Sequence, residues 1–383
     1  MMKPRAGVGL RLWLVALLLA ALWGGWGYGH QVRHGLAVTG MSDAISWGLY
    51  IGNFAFLVGL AASAVILLLM AHVPHQDDTH TVVLLGETMA VTAVTMSLLF
   101  VVADLGQPWR IWHALPLVGQ LNFPRSIMAW DVVVLTLYLL SSLGLAYRMF
   151  ARNRQGYPAR SPKRLAWPIL GMVLLLGLSI HTVTAFLLAA NPARPLWHTA
   201  ILAPRFLVSA FASGTALLIF LLTFLNIFRQ LNTPTRIIGH LARVMLFSLL
   251  LNLFFMGAEL FVLFYRPTGA SASAQWLFFS RNNFFTHWIH TAWGGLSLAT
   301  LLLLVPDWQR RRPILLLAAL LTFVGVWMEK GLGLIIPGFV PTPLGEVAAY
   351  VPTWTEIRVS VGIWAMGAVL LTFLVRAVAR MAR

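Results

Sequence analysis

Long runs of apolar residues recur along the whole chain and are separated by short polar stretches. A run of about 20 apolar residues spans the hydrocarbon core of a bilayer as an α-helix. The pattern therefore predicts an all-α integral membrane protein with about ten transmembrane helices. The ten segments cover residues 10–28, 48–73, 83–103, 126–150, 166–190, 200–229, 243–265, 284–305, 314–336 and 357–375.

The segments are predicted to form one polytopic membrane domain over residues 1–383. An N-terminal anchor helix and loop occupy 1–40, a first four-helix bundle 41–190 and a second bundle 200–336. A last helix and a basic tail occupy 357–383. The first segment also resembles a signal peptide, but no Ala-x-Ala-like site follows it, which favours a retained anchor.

A weak internal repeat supports the division into two bundles. Residues 56–64 of the second segment resemble residues 206–214 of the sixth, and both helices would cross in the same direction. Because the two helices cross the membrane in the same direction, the repeat would be parallel, with its symmetry axis along the membrane normal. Chance similarity among small and apolar residues is the alternative explanation.

Basic residues concentrate in alternate connections and indicate the orientation. The connections 148–164, 229–243 and 310–312 and the tail 376–383 are rich in arginine. Such loops face the cytoplasm under the positive-inside rule. The predicted location is the bacterial inner membrane, with multiple passes and both termini cytoplasmic.

The composition excludes a soluble domain. Hydrophobic residues make up 59% of the chain and charged residues 10%, and the mean hydropathy is +0.82. The chain therefore has too few polar residues to cover the surface of a soluble domain of this length. The net charge of +16 does not indicate nucleic-acid binding, because most basic residues lie beside segment ends. With no cysteine, the chain cannot hold an iron–sulfur cluster of its own.

Tryptophans gather at the segment ends. Interfacial anchoring is the expected role of tryptophans in such positions. These residues are Trp47, Trp109, Trp112, Trp197, Trp276, Trp288 and Trp354.

Placing polar and ionisable side chains inside apolar membrane segments costs free energy, and such residues are usually functional. With about 1.5 Å of rise per residue, nearly all of them fall near the outer ends of their segments. A site that faces outward is therefore predicted. The residues are Asn53, Asp104, Asp131, His181, Arg205, Glu259, His290, Glu329, Lys330, Glu356 and Arg358.

Glu87 is the exception, because it lies near the inner end of the third segment. Thr88, Thr92 and Thr95 follow it at helical spacing. This stripe is consistent with a proton path from the cytoplasm and equally with ordinary helix–helix hydrogen bonding.

Several motifs carry a resemblance to a known family. Residues 47–59, 104–113 and 122–131 resemble the NrfD/PsrC family of integral membrane subunits of quinone-linked oxidoreductases, and the likeness covers about residues 41–375. Residues 179–186 and 203–207 are similar to the DsrP subunit of the sulfite-reduction-associated Dsr complex. Gln107 departs from the arginine expected in the Gly-Arg-Pro loop, so Arg110 is the candidate to serve instead.

The resemblance implies a subunit that is not catalytic alone. It would exchange electrons between menaquinone or ubiquinone, bound as a substrate, and a periplasmic iron–sulfur subunit of the same complex. No intrinsic haem or iron–sulfur cluster is expected, lipid and other complex subunits are the expected partners, and proton translocation stays open.

The same resemblance suggests roles for individual residues. His181 would contact one quinone oxygen and Asn53 the other, because Asn53 resembles a family asparagine near the head group. Asp104 and Arg205 are further quinone-site candidates, and Arg205 is expected to pair with a carboxylate. Glu87, Asp131 and Glu259 are the proton-transfer candidates.

Three alternatives remain open at this point. In the first, His181 has a purely structural role and stabilises the bundle by hydrogen bonding to a neighbouring helix. A haem-b carrier could use His181 with His290, which lie at similar depth, and the visible spectrum distinguishes it. A ten-helix transporter also has buried charges and repeats, but it would not require an iron–sulfur partner.

Overall fold

The computed structural model describes residues 6–71, 80–114, 118–154, 167–228, 230–265, 268–281 and 283–381. All regular secondary structure in these residues is helical. The helices are α1 (Ala6–His34), α2 (Leu49–Ala71), α3 (His80–Asp104), α4 (Ile127–Arg154), α5 (Trp167–Ala189), α6 (Leu202–Ile227), α7 (Thr235–Tyr265), α8 (Gly269–Phe279), α9 (Phe284–Leu304), α10 (Pro306–Arg310), α11 (Arg312–Lys330), α12 (Leu332–Ile335) and α13 (Trp354–Met381), with short 3-10 turns at Leu36–Val38, Pro108–Ala114 and Ile336–Phe339.

The all-α membrane architecture is confirmed. Within the described ranges, eight helical stretches are long and apolar enough to cross a membrane. Two further long helices, α2 and α9, occupy the remaining predicted segments. α9 carries two histidines, His287 and His290, among its apolar residues.

The long helices pack in two groups of four. α2, α3, α4 and α5 contact one another in a closed ring, and α6, α7, α9 and α11 form a second ring. α2 and α5 pack against α6, and α2 also contacts α11, so the rings meet along one seam. α1 and α13 pair with each other beside α3.

The end of α11 approaches α2 closely at two glycines of α2. A Cβ atom at Gly52 would lie 3.3 Å from the backbone of Gly331, and one at Gly59 would lie 2.8 Å from Nζ of Lys330. Either position would therefore resist a larger residue. The seam between the two rings is built on these contacts.

The ninth predicted segment is broken inside the protein. α11 ends at Lys330, Gly331 leaves the helical conformation (φ −78°, ψ −115°), and the single-turn α12 follows. The carbonyl groups near the break have side-chain donors, since Trp288 Nε1 lies 2.8 Å from the Met328 oxygen and Trp197 Nε1 lies 2.9 Å from the Leu334 oxygen. Irregular backbone at membrane depth is tolerated when protein partners bond it in this way.

Trp197 corrects one expectation. Its side chain is fully buried, whereas Trp109 and Trp354 are largely exposed. Interfacial anchoring is therefore wrong for Trp197, which stacks on Trp47 with ring centroids 5.9 Å apart.

One end of the bundle carries the longer connections. The described connections 35–48, 105–114, 118–126, 190–201, 268–281 and 340–353 lie there. The Leu49 N–H bonds the Tyr350 hydroxyl (2.7 Å), and Arg194 contacts Phe339. A Cβ atom at Gly106 would lie 3.4 Å from Leu36, and one at Gly269 would lie 3.5 Å from Pro195. We call this end the long-loop end. His181 lies eight residues before the end of α5 at Ala189, about 12 Å of helical rise from it.

Candidate functional site

His181 is a buried imidazole on the seam between the two rings. Its side chain is 1% exposed. Neither ring nitrogen makes a hydrogen bond of normal geometry with the described residues, although the carbonyl groups of Gly59 and Gly177 lie close to the ring. An imidazole without committed partners is available to bind a polar ligand.

Lys330 is a charged residue that interacts with His181. Its ammonium nitrogen lies 3.3 Å from the carbonyl oxygen of Phe206 and 4.1 Å from the centre of the Phe206 ring. The residue ends α11, where the negative end of the helix dipole favours a cation. His181 and Lys330 thus offer two possible hydrogen-bond donors to the same region.

Arg205 joins three helices through ion pairs. Its guanidinium, on α6, binds Glu259 of α7 with one terminal nitrogen and Glu329 of α11 with the other. The expected pairing of Arg205 with a carboxylate is confirmed, while Glu329 is a partner that had no predicted role. With Lys330 the cluster holds two cationic and two acidic groups, so its formal charges balance.

Asn53 is held by protein partners. Its Nδ2 donates to the Leu49 carbonyl (2.8 Å), and its Oδ1 accepts bonds from the indole nitrogens of Trp327 (3.0 Å) and Trp364 (2.9 Å). These bonds tie α2 to α11 and α13 and fix the orientation of the amide. One N–H of Nδ2 remains for another acceptor.

Asp131 lies beside the same helix face as His181. The Thr184 hydroxyl donates to its Oδ1 at 2.7 Å. Thr184 is three residues beyond His181 on α5, and residues at this spacing are neighbours on a helix surface. The contact brings Asp131 of the first ring near the histidine.

Asp104 belongs to a different cluster at the long-loop end. Its neighbours are Tyr50 and Glu356. Glu356 accepts bonds from the Tyr350 hydroxyl (2.7 Å) and from Gly40 N–H (2.7 Å). Burial, together with Glu356, raises the pKa of Tyr350, so this phenol stays a donor. These bonds join α13 to the loops and do not reach His181.

Glu87 is fully buried in the half of the molecule away from the long-loop end. Its carboxylate oxygens make no hydrogen bond of normal geometry with the described residues, and Ser142 and Tyr138 of α4 are its neighbours. Tyr138 itself donates to the Ala61 carbonyl at 2.9 Å.

The threonine stripe beside Glu87 bonds to its own helix. Thr88, Thr92 and Thr95 each donate to a carbonyl of the preceding turn at 2.7–2.8 Å. This bonding is intrahelical and not the helix–helix bonding considered above. The hydroxyl oxygens keep lone pairs that can accept a proton.

The structure brings together only part of the predicted set. His181, Arg205 and Glu259 lie on or beside the seam, with Asn53 and Asp131 next to it, whereas Asp104 and Glu87 lie apart. Glu329 and Lys330 were noted by depth alone, although two adjacent opposite charges before Gly331 in an apolar segment are a usable signal. His290, a partner in the haem alternative, lies on the exposed face of α9.

An open cleft of about 610 Å³ lies between α7 and α8 at the long-loop end. Aromatic and small polar residues line it, and none of them is ionisable. It offers no general acid or base, so we do not place the chemistry there. Its lining residues are Phe264, Ala272, Gln275, Trp276, Phe279 and Ser280.

Comparison with known proteins identifies the family. A family model described as polysulphide reductase, NrfD, matches residues 37–342, which is most of the chain. The chain belongs to the NrfD family. It is therefore a multi-pass membrane protein of this family, as the motif resemblance predicted.

Three relatives of this NrfD-family chain match it over most of its length. It is 27% identical, over 94% of its length and 89% of the relative, to a Halobacterium salinarum protein provisionally named as a membrane subunit of dimethyl sulfoxide reductase. It is 24% identical, over 81% of its length and 78% of the relative, to a selenate reductase subunit of Mesobacillus selenatarsenatis. It is 22% identical, over 95% of its length and 92% of the relative, to the Hdr-like menaquinol oxidoreductase integral membrane subunit of Archaeoglobus fulgidus.

Proposed function

We propose that this chain is the quinone-reacting membrane subunit of an oxidoreductase complex. It binds a quinone head group on the seam beside His181 and exchanges electrons with an iron–sulfur partner at the long-loop end. The observation that carries the proposal is the buried imidazole of His181, whose two ring nitrogens have no hydrogen-bond partner of normal geometry among the described residues.

The chemistry of a quinone fits these side chains. Each of its two oxygens needs a donor when the ring is oxidised and an acceptor when it is reduced, and each two-electron turnover moves two protons. His181 can do both, because a neutral imidazole carries one donor and one acceptor. Lys330 is a second donor, and Asn53 has one N–H left for the other quinone oxygen.

The remaining candidate residues take supporting roles in this proposal. Arg205 holds the second ring together next to the head group, and Glu259 and Asp131 stay candidates for proton transfer. Asp104 lies in the cluster with Glu356, so a direct contact with the head group is the weakest of these assignments.

The partner and the membrane follow from the family and the charge pattern. The names of the three relatives describe subunits of larger oxidoreductases, and one of them is a menaquinol oxidoreductase subunit. We infer a partner that carries the iron–sulfur cluster, because this chain has no cysteine. The basic loops favour a bacterial inner membrane with the long-loop end on the periplasmic side.

The quinone is proposed to be menaquinone or ubiquinone, without a haem held by this chain. The relatives carry the names of other complexes, so the likeness to the DsrP subunit and a role in sulfur metabolism stay predictions.

A quinol titration of the complete complex tests the proposed function. Adding a water-soluble menaquinol or ubiquinol analogue to the co-purified complex should reduce the partner's clusters, as followed by electron paramagnetic resonance. Reduction should not occur with the partner alone. Clusters that stay oxidised with both analogues, or a haem band in the visible spectrum of this subunit, would contradict the proposal.

Replacing Glu87 by glutamine should change proton movement without changing quinone binding. The substitution keeps the shape and removes a proton carrier. Glu87 lies about 25 Å of helical rise from the long-loop end of α3, against about 12 Å for His181 in α5. Complexes in liposomes that contain a pH indicator should show altered proton uptake, or a slower rate with a shifted pH dependence. Wild-type rate and proton uptake would show instead that Glu87 and the threonine stripe are structural. The Thr136→Val variant, at an exposed position of α4, is a control for the loss of a hydroxyl outside the stripe.

A further inference from the structure

Glu329 has one carboxylate oxygen in an ion pair and one without a partner among the described residues. Oε1 binds the Arg205 guanidinium, while Oε2 is buried and makes no hydrogen bond with the part of the chain that the structure describes. The side chain is 2% exposed. A buried anionic oxygen without a donor is costly, and binding a proton relieves that cost.

Glu329 lies among two cations and one further carboxylate. A proton held on His181 would place an imidazolium next to the Lys330 ammonium, and like charges in a buried site repel. The same proton on Glu329 would convert a buried anion into a neutral group. Both histidines of α9 lie on its exposed face. The ionisable groups that face the cluster are Arg205 from α6, Glu259 from α7, His181 from α5, and Lys330 from α11 itself.

Lys330 follows Glu329 directly in the chain, and its Nζ packs against Gly59, whose carbonyl group lies close to His181. It interacts with His181 and with Glu329, and its hydrogen bond to the Phe206 carbonyl uses one of its three N–H bonds. An ammonium group that gives one proton and takes another returns to its starting state.

We propose that Glu329 is the proton acceptor of the quinone site, which rests on the proposed function. When a quinol is oxidised, an O–H bond breaks, its proton passes to His181, and the electrons pass to the iron–sulfur cluster of the partner. Lys330 gives a proton to Oε2 of Glu329 and takes one from His181. The second proton follows the same route once Glu329 has released the first to water, and quinone reduction runs the same transfers in reverse.

The test compares Glu329→Gln with Glu329→Asp in the complete complex in liposomes. Turnover of Glu329→Gln should fall at least about tenfold with a changed pH profile, because a positioned proton acceptor is lost. Binding of a quinone analogue should stay within about twofold of the wild type, because the residue does not contact the head group. Glu329→Asp, which keeps a carboxylate, should recover most of the rate. Glu346→Gln, in the exposed loop before α13, is the control for losing one acidic charge and should behave like the wild type.

Redox-difference infrared spectroscopy gives a second measurement that does not require the glutamine variant to assemble. Quinol oxidation should produce a protonated-carboxyl band in the wild type, and Glu329→Asp should shift that band. A wild-type spectrum without the band would overturn the proposal. A wild-type pH profile in Glu329→Gln would also overturn it. So would the same changed profile in Glu259→Gln, because the effect would then not be specific to Glu329. Failure of the wild type to bind quinone would contradict the proposed function instead.

Discussion

Replacing His181 by alanine in the assembled complex is expected to weaken quinone binding by about ten- to a hundredfold. Loss of one buried hydrogen-bond partner costs roughly 1–3 kcal/mol, and about 1.4 kcal/mol corresponds to a factor of ten. Turnover should fall further than binding, since the variant also lacks the group that takes the proton from the quinol. Because both functions are lost together, no pH should restore electron transfer.

The measurements are fluorescence-detected binding of a quinone analogue and quinol-driven reduction of the partner's clusters. His181→Phe keeps the volume of the side chain and separates lost chemistry from a lost contact. His290→Ala removes a histidine from the exposed face of α9 and should retain wild-type behaviour. Wild-type affinity and rate in His181→Ala would mean that the imidazole only packs between the rings.

Replacing Arg205 by methionine should produce the largest loss of stability. The substitution leaves Glu259 and Glu329 close together without the cation that joins them. Breaking a buried ion pair by removing one partner costs about 3–5 kcal/mol, because the remaining charge is uncompensated. The variant should therefore melt at a lower temperature in detergent and accumulate less in the membrane.

Two companion variants identify the cause of that loss. Arg205→Lys keeps the charge but loses the fork that reaches two carboxylates, so its stability should be intermediate. Replacing Arg205, Glu259 and Glu329 together by methionine and two glutamines removes the uncompensated charges and should be more stable than Arg205→Met alone. If the triple variant melts no higher than the single one, packing and not charge explains the effect.

The depth of the candidate site residues could be predicted from the sequence to a useful degree. Ionisable side chains in apolar segments are few, and the helical rise places each of them at a depth. This reasoning placed His181, Arg205 and Glu259 near one end of the bundle. It also noted Glu329 and Lys330 but found no role for them, because depth does not reveal which side chains face each other.

Sequence reasoning was less successful where an assignment depended on contacts between distant parts of the chain. Trp197 lies near a segment end, as interfacial tryptophans do, yet it is fully buried and bonds the backbone beyond the helix break. Asn53 was predicted as a ligand of quinone, and most of its hydrogen-bonding capacity is used by Leu49, Trp327 and Trp364. Both residues bond to parts of the chain that lie far from them in the sequence.

The sequence alone determined that this protein is a helical membrane protein with about ten long helices. A bilayer offers no partner for a backbone N–H or C=O group, so each long apolar run must satisfy its own polar groups within one helix. That constraint is local, and the sequence reveals it. The break at Gly331, the placement of Lys330 beside His181 and the sharing of Arg205 between Glu259 and Glu329 depended on tertiary structure. They depend on how closely α2, α6 and α11 approach one another, and side-chain packing between distant segments sets that approach.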